Sequence, residues 1–436
     1  MNASPLADLP WPNLREELLK PGPQCEDFIR QRIAYIQGQN PSLGAWELVD
    51  EEGALSQAKW LDHNKFKAPG PLFGMPVGIK DLFDVWGFPT QSGIRGWTTE
   101  VAKKDSTLVT RLRKAGAILL GKTVTTPLAC FDPPATKNPW SFGHTPGGSS
   151  SGSAAALAAC QIAGALGSQT GGSLCRPASY CGVCAMKPTF GIMPTDGVQP
   201  VSLELDHPGP MARNVSDLAL LFGVLTNQPT PTTKVQAYTL GIPKGPFSSE
   251  TSEELLTLFH SQVERLSQAG FGFVEVELPA DFSSLYQDHY DLMAFGAYQT
   301  HKARFQNDPT VFPPKVSDLI QTGTKLTGKR IDQARQGALK RRQGLIQLLR
   351  GLDGWVLPGF HEYPPGCEST GVPRFHSPWS FLGWPEVSIA VEQGRNNLPV
   401  ALQVVGRPHS DRALLAIAQT LSSVLGRPKL PPVGVS

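Results

Sequence analysis

Apolar residues recur along the chain in two periods, one typical of helices and one typical of buried strands. Between residues 22 and 60, Ile29, Ile33 and Ile36 fall at i, i+4 and i+7, which predicts a largely helical stretch with one buried face. The run Gly74–Asp81 is apolar until it ends in a charged pair, and this pattern predicts a buried strand. The chain is therefore expected to begin with helices and then to enter a sheet.

The segment after this strand predicts a helix, a second strand and a long loop. Asp105 or Ser106 can cap the helix, and residues 117–120 are apolar enough to form the strand that follows it. Residues 130–152 are dense in Gly, Pro, Ser and Asn, which predicts an ordered, turn-rich loop. Residues 153–165 are mostly small, and we expect them to form a helix that packs closely on its neighbours.

The second half of the chain continues to alternate between strand-like and helix-like patterns. Two strand-like runs flank a helical one, which predicts a βαβ unit, and a long amphipathic helix, two late strands and a final helix follow. In chain order these segments are residues 238–245, 250–269, 272–277, 330–350, 356–358, 398–405 and 411–421. Such alternation predicts the α/β fold class.

Composition narrows the class of protein. Charged residues make up 17% of the 436 positions, against about 25% in an average domain, which fits a long chain that buries a large core. The net charge of +2, without a long basic run, argues against a nucleic-acid partner. The N-terminus is unlike a leader peptide, and no apolar run reaches the ~18 residues of a membrane span. Seven cysteines, an odd number, predict free thiols and a cytoplasmic protein.

Three short motifs match known site patterns, but their surroundings do not fit. Gly116–Thr123 has the spacing of a phosphate-binding P-loop, yet its four middle residues are apolar and are expected to form a buried strand. Gly148–Gly152 matches the nucleophile elbow of α/β-hydrolases, which needs a strand directly before its serine, whereas Gly and Pro precede this one. Cys175, Cys181 and Cys184 include a zinc-like spacing, but no fourth ligand lies nearby, which favours buried core cysteines.

Two Gly- and Ser-rich segments remain, and their spacing is specific. Residues 147–153 read Gly-Gly-Ser-Ser-Ser-Gly-Ser, and residues 170–177 read Thr-Gly-Gly-Ser-Leu-Cys-Arg-Pro. Together with Pro76–Asp81 upstream, and with residues 205–213 and 398–403 downstream, they resemble the amidase signature family over about residues 25–421.

This resemblance implies a fold and a domain plan. We expect one large amidase-signature domain over residues 25–436, preceded by an N-terminal extension over residues 1–24. Its core is expected at 70–220, and a variable, substrate-side region at about 225–385. The resemblance implies a central mixed β-sheet covered by helices on both faces. It also implies catalysis that needs neither a metal nor an organic cofactor.

Carried over residue by residue, the family's Ser-cisSer-Lys triad falls on Ser173, Ser149 and Lys80. A serine hydroxyl becomes a good nucleophile only when a base takes its proton. Lysine can be that base only when neutral, so burial must lower its pKa from about 10.4. Asp81 would oppose this change, but neighbouring side chains of a strand point to opposite faces, so we expect Asp81 to point away from Lys80.

The turn before the proposed nucleophile is also expected to take part in catalysis. The backbone at Thr170, Gly171 and Gly172 is expected to supply N–H groups for an oxyanion hole. Arg176 is either a ligand for a substrate carboxylate or a structural arginine that binds backbone carbonyls or Asp206.

Three positions depart from the family pattern. Gln169 stands where many members have Asp, Cys175 stands where many have Arg, and residues 126–131 lack the usual Glu.

The leading functional hypothesis is a free-standing amidase. It would hydrolyse a small or aryl carboxylic amide to the acid and ammonia through an acyl-enzyme on Ser173. An amidotransferase subunit that delivers ammonia to a partner is the alternative, and the intact triad argues against a catalytically silent scaffold. The expected ligand is a small-molecule amide, and a homodimer is compatible with the resemblance. The substrate pocket is expected near residues 125–140, 285–320 and 360–385.

Overall fold

One continuous sheet of eleven strands runs through the residues that the computed structural model describes, which are 9–67, 69–230 and 236–431. The strands lie in the order β1-β3-β2-β4-β6-β5-β10-β11-β9-β7-β8. In chain order they are β1 (Trp46–Val49), β2 (Pro76–Lys80), β3 (Ile118–Thr123), β4 (Gly164–Gln169), β5 (Cys184–Lys187), β6 (His207–Ala212), β7 (Thr239–Pro243), β8 (Gly272–Val276), β9 (Gly354–Pro358), β10 (Glu386–Gln393) and β11 (Pro399–Val405).

Fourteen α-helices accompany the sheet within the same described ranges. They are α1 (Trp11–Leu18), α2 (Gln24–Leu43), α3 (Glu51–Asn64), α4 (Thr107–Lys114), α5 (Ser151–Ala158), α6 (Cys175–Cys181), α7 (Val215–Thr226), α8 (Pro246–Ser249), α9 (Glu253–Gln268), α10 (Ser284–Asn307), α11 (Pro314–Lys325), α12 (Gly328–Leu348), α13 (Ser377–Leu382) and α14 (Asp411–Leu425). Short 3₁₀ turns lie at Pro127–Ala129, Pro309–Val311 and Arg395–Asn397.

The sheet is mixed, and its central strands are buried on both faces. Strand β2 pairs in parallel with β3 and β4, whereas β6 is antiparallel to β4 and β5. Every residue of β2 to β6, β9 and β11 is buried, which is the pattern of strands covered on both sides. The predicted α/β fold with a central mixed sheet is confirmed.

Several predicted elements are present where the sequence placed them. Strand β2 lies within the predicted run, and helix α4 is capped by Ser106, whose hydroxyl accepts a hydrogen bond from Val109 N. Strands β7 and β8 pair in parallel across helix α9, which confirms the βαβ unit. The long helix α12, the strands β9 and β11, and the final helix α14 agree with the predicted segments to within a few residues.

One further expectation about secondary structure is confirmed, and one was wrong. The stretch 22–60 is largely helical, as predicted, because α2 and α3 occupy most of it. Gly44, with a left-handed φ of 64°, ends α2, and the short edge strand β1 lies between the two helices. The small-residue helix does not continue to residue 165. It ends at Ala158, Cys160 takes a φ of 56°, and residues 164–169 form β4. Small side chains here fit a strand that lies tightly between β2 and β6.

The structure also decides between the readings of the short motifs. Residues 118–123 of the P-loop-like run form the buried strand β3. No strand precedes Ser150, which lies directly before helix α5, so the nucleophile-elbow geometry is missing. Cys175, Cys181 and Cys184 are buried free thiols. No group of three or more His, Cys, Asp or Glu side chains in the described ranges is placed to hold a metal ion.

The N-terminal segment packs on the same core as the rest of the chain. Trp11, Leu14 and Leu18 of α1 are buried in the large apolar cluster, and Trp11 N donates a hydrogen bond to Asp217 Oδ1 at 2.8 Å. The proposed boundary at residue 24 stays a prediction, and so does the cytoplasmic location. Of the predicted polar connection 225–235, residues 231–235 lie outside the described residues. Among the described helices, none is long and apolar enough to cross a membrane.

Candidate active site

The three predicted catalytic side chains come from different elements and lie together. Lys80 is the last residue of β2, Ser149 lies in the loop before α5, and Ser173 lies between β4 and α6. The peptide bond between Gly148 and Ser149 is cis, as the resemblance implies. Ser149 and Ser173 line one cavity, and Ser150 N donates a hydrogen bond to the Ser173 carbonyl at 3.0 Å, which ties the two loops together.

Lys80 is buried without a carboxylate in contact with its amine. Its Nζ lies 2.7 Å from Ser149 Oγ and 3.0 Å from Ser168 Oγ. Burial lowers the pKa of Lys80 to about 7, and the negative charge of Asp206 opposes this decrease. A lysine in this state can accept a proton near neutral pH.

Asp81 takes no part in this contact. Its carboxylate pairs with Lys122 at 2.7 Å. In the parallel pairing of β2 with β3, Ile79 lies opposite Lys122, so Lys122 and Lys80 project from opposite faces of the sheet. The prediction that Asp81 points away from Lys80 is confirmed.

Glycines allow the loop that carries Ser149 to approach its neighbours. Gly147 takes a φ of 81°, a conformation that residues with a side chain rarely adopt. A Cβ at Gly152 would lie 2.2 Å from the carbonyl oxygen of Ala45, so this position has no room for a side chain. These two positions explain why the sequence around Ser149 is so rich in glycine.

The turn before Ser173 presents three N–H groups that have no acceptor. Among the described residues, the backbone N–H groups of Gly171, Gly172 and Ser173 donate no hydrogen bond. Gly171, Gly172 and Ser173 line the same cavity as Ser149. The N–H groups of this turn are therefore free to bind an oxygen that develops negative charge.

Arg176 is buried, and its guanidinium is bound to the protein. Nη2 donates to the Gly148 carbonyl at 2.7 Å, and Nη1 donates to the Gly371 carbonyl at 2.8 Å. Asp206 lies elsewhere and accepts hydrogen bonds from Thr170 Oγ1 and from the backbone N–H groups of Val201 and Ser202. Of the two roles considered for Arg176, these contacts favour the structural one, through carbonyls rather than through Asp206.

The cavity above the serines has a volume of about 230 Å³ and a mostly apolar wall. All three stretches expected to build the substrate pocket contribute to it: Ala129, Cys130 and Phe131 from the first, Tyr286, His289, Tyr290 and Met293 from the second, and Thr370, Pro373, Arg374 and Ser377 from the third. Arg374 pairs with Glu250 at 3.2 Å, and its guanidinium carbon lies 4.8 Å from the centre of the Tyr286 ring.

The sequence analysis missed two residues that contact this site. Ser168, which bonds Lys80, lies two positions before the Thr-Gly-Gly-Ser run at residues 170–173, so its position beside the nucleophile loop was a usable signal. His289 Nε2 donates to the Thr170 carbonyl at 2.9 Å from helix α10. Nothing in the local sequence marks His289, because its partner lies 119 positions away along the chain.

Comparison with known proteins agrees with this geometry. Residues 27–415 match the Amidase family. The A subunit of the glutamyl-tRNA(Gln) amidotransferase of Salinispora tropica is 31% identical, over 93% of this chain and 95% of its own length. The corresponding protein of Myxococcus xanthus is 30% identical, over 95% of this chain and 96% of its own length.

Solved structures show the same relationship. A crystal structure of an amidase superposes with a TM-score of 0.88 at 27% identity, covering 96% of this chain and all of that one. The native peptide amidase of Stenotrophomonas maltophilia superposes with a TM-score of 0.83 at 25% identity, covering 99% of this chain and all of that one. A Ser-cisSer-Lys triad is characteristic of this family. The chain therefore belongs to the amidase signature family and is a hydrolase of amide C–N bonds.

Proposed function

We propose that this protein is an amidase that hydrolyses a small or aryl carboxylic amide to the acid and ammonia through an acyl-enzyme on Ser173. The observation that carries the proposal is the buried Lys80 amine, which has no carboxylate in contact and lies 2.7 Å from Ser149 Oγ at the base of the cavity. Ser149 and Ser173 both line this cavity, so the proposed relay and nucleophile face one reaction volume, and the Lys80 amine is hydrogen-bonded to the relay.

The proposed reaction begins when Lys80 takes the proton of Ser149 while Ser149 takes the proton of Ser173. Ser173 Oγ then bonds to the amide carbon, and the N–H groups of the Gly171–Ser173 turn stabilise the negative oxygen. Ser149 gives its proton to the leaving nitrogen and takes one back from Lys80, the C–N bond breaks and ammonia departs. Water attacks the ester by the same proton route, which releases the acid and restores Ser173.

The cavity supports a neutral substrate with an apolar acyl group. Phe131, Tyr290 and Met293 give it an apolar wall, and both of its arginines are bound by protein groups. A volume of about 230 Å³ is enough for an aryl or short aliphatic acyl group. A panel of aryl, aliphatic and acidic amides, assayed for ammonia release, tests this choice. If acidic amides are the best substrates, the neutral substrate class is wrong.

The nucleophile itself is tested by Ser173→Ala, which we expect to abolish ammonia release while the protein stays folded. A fluorophosphonate probe followed by peptide mass spectrometry should label Ser173. Ser150→Ala is the matched control, because Ser150 is a buried neighbour of the same loops that the mechanism does not use. A label on Ser150, or normal turnover by Ser173→Ala, would contradict the assignment.

A second candidate function is glutamine hydrolysis as one component of a multi-protein amidotransferase. It is favoured by the amidotransferase relatives, which match nearly the whole chain. Purification of the chain alone distinguishes the two functions. A free-standing amidase turns over aryl or aliphatic amides without a partner, whereas an amidotransferase component is expected to use glutamine and to gain activity in its complex.

A further inference from the structure

We call residues 170–173, which end at the proposed nucleophile, the nucleophile turn. The carbonyl groups of Thr170, Gly171 and Gly172 in this turn each accept a hydrogen bond from the protein. The Thr170 carbonyl accepts a hydrogen bond from His289 Nε2 at 2.9 Å, and the Gly171 carbonyl accepts one from Ser380 Oγ at 2.9 Å. The Gly172 carbonyl accepts the backbone N–H of Arg176 at 3.0 Å. Each of these carbonyls shares a planar, trans peptide unit with the next N–H group, so the two point in opposite directions.

We propose that His289 and Ser380 are positioning residues, which aim the N–H groups of Gly171 and Gly172 at the carbonyl oxygen of the substrate. This inference rests on the proposed function and names what holds its oxyanion hole in place. Fixed donors stabilise a developing oxyanion without having to reorganise during the reaction. A turn of two glycines is otherwise free to rotate its peptide units.

The direction of the Ser380 hydroxyl is set by Gln169. Gln169 Oε1 accepts the backbone N–H groups of Leu174 and Cys175 at 3.1 and 3.0 Å, so its amide nitrogen must face the other way. That nitrogen donates to Ser380 Oγ at 3.1 Å. Because Ser380 Oγ accepts this bond, its own proton is directed to the Gly171 carbonyl.

A buried carboxylate fixes this arrangement. Gln169 Nε2 also donates to Glu386 Oε2 at 3.2 Å, and the other oxygen of Glu386 contacts His376 Nδ1. A carboxylate only accepts hydrogen bonds, so it holds the Gln169 amide with its nitrogen toward Ser380. The arrangement also explains the departure at position 169, since an Asp there would place a second carboxylate beside Glu386.

His289 donates as a neutral imidazole. Burial lowers the pKa of His289 to about 4, so its charge does not change in the range where Lys80 titrates. The bond to the Thr170 carbonyl places the proton on Nε2. A positioning role for His289 therefore predicts that its replacement leaves the pH profile in place, whereas a general acid or base would move it.

The test compares Ser380→Ala and His289→Leu with matched buried controls. Ser388→Ala removes the hydroxyl that bonds Ser179, and His301→Gln alters a second buried histidine of α10. We expect Ser380→Ala and His289→Leu each to lower kcat about tenfold or more, with KM within about twofold, since removing an oxyanion donor outright costs about 10²–10³. His289→Gln, which can still place a donor near the Thr170 carbonyl, should recover most of the loss.

Inhibitors separate this role from a merely structural one. An aldehyde that forms a tetrahedral adduct on Ser173 should bind these variants more weakly by the same factor as kcat falls. The product acid should bind to Ser380→Ala as it does to the wild type. Ser380→Cys, with a weaker donor in place of the hydroxyl, should lie between wild type and Ser380→Ala, which covers the case of an unstable Ala variant.

Three outcomes would overturn the inference: kcat of Ser380→Ala equal to that of Ser388→Ala, aldehyde and product binding to Ser380→Ala reduced together, or a shifted pH midpoint in the His289 variants. Fluorophosphonate labelling of Ser173 depends on the same N–H groups and requires no amide turnover. Its rate is therefore a second measurement of how these groups are positioned. If the wild type is labelled quickly but hydrolyses no amide, the proposed function fails. The labelling rates of the variants then still decide the inference.

Discussion

Lys80 and Lys122 are both buried and lie on neighbouring strands, yet their surroundings differ completely. On one face of the sheet, the Lys80 amine forms hydrogen bonds with Ser149 and Ser168, and Ser149 lines the cavity. On the other face, Lys122 pairs with Asp81 at 2.7 Å. The parallel register of β2 and β3 separates them, because Ile79, not Lys80, lies opposite Lys122.

This difference teaches that burial has two consequences for a lysine. Without a counter-charge, burial disfavours the ammonium, and the pKa of Lys80 falls to about 7. When a carboxylate is in contact, its negative charge compensates the positive charge of the ammonium, and the pair has a structural role. The same residue type is the proposed base on one face and half of an ion pair on the other.

Removal of the base should have the largest effect. We expect Lys80→Ala to lower kcat/KM by about 10³–10⁴, the upper range for general acid–base catalysis. Lys80→Arg should not rescue, because arginine stays charged and accepts no proton. Ammonia release and circular dichroism of the folded variants measure this. More than a tenth of wild-type activity in Lys80→Ala would show that another group is the base.

Breaking the ion pair on the other face should affect stability rather than chemistry. Asp81→Asn leaves a buried ammonium without its counter-charge, which typically costs about 3–5 kcal/mol of unfolding free energy. The double variant Asp81→Asn/Lys122→Met should recover most of this loss in urea titrations. The turnover of the folded fraction should stay within about threefold of wild type. A shifted pH midpoint of activity would show that the two faces are coupled.

The smallest expected effect is a shift in the pH dependence of kcat/KM. Lys80 must be neutral to act, so kcat/KM should rise with pH up to about 7 and level above it. Burial raises the pKa of Asp206 to about 6 and that of Cys130 to about 12, so near pH 7 Asp206 is charged and Cys130 is neutral. The charge of Asp206 supports the Lys80 ammonium, so Asp206→Asn should move the midpoint to lower pH. If the midpoint does not move, the charge of Asp206 does not influence the pKa of the base.

The sequence by itself determined the family and the fold class, and it predicted the three residues of the proposed triad. It could do so because each triad residue lies in a short segment whose residue types and spacing the chemistry demands: a buried run ending in Lys80, and two Gly- and Ser-rich turns at Ser149 and Ser173. Local patterns also predicted strands such as β2 and the unit β7–α9–β8, since apolar periodicity depends on near neighbours.

Tertiary structure alone decided what surrounds the triad. Whether Arg176 binds substrate or carbonyls depended on Gly371, 195 positions away, and the orientation of Gln169 depended on Glu386, 217 positions away. His289 entered the site only because helix α10 packs beside the nucleophile turn. A hydrogen bond between distant residues is set by strand order and helix packing, which bring the two partners together in space. No periodicity along the chain encodes that distance. The residues of the proposed triad could therefore be predicted from the sequence, and the partners that hold them in place could not.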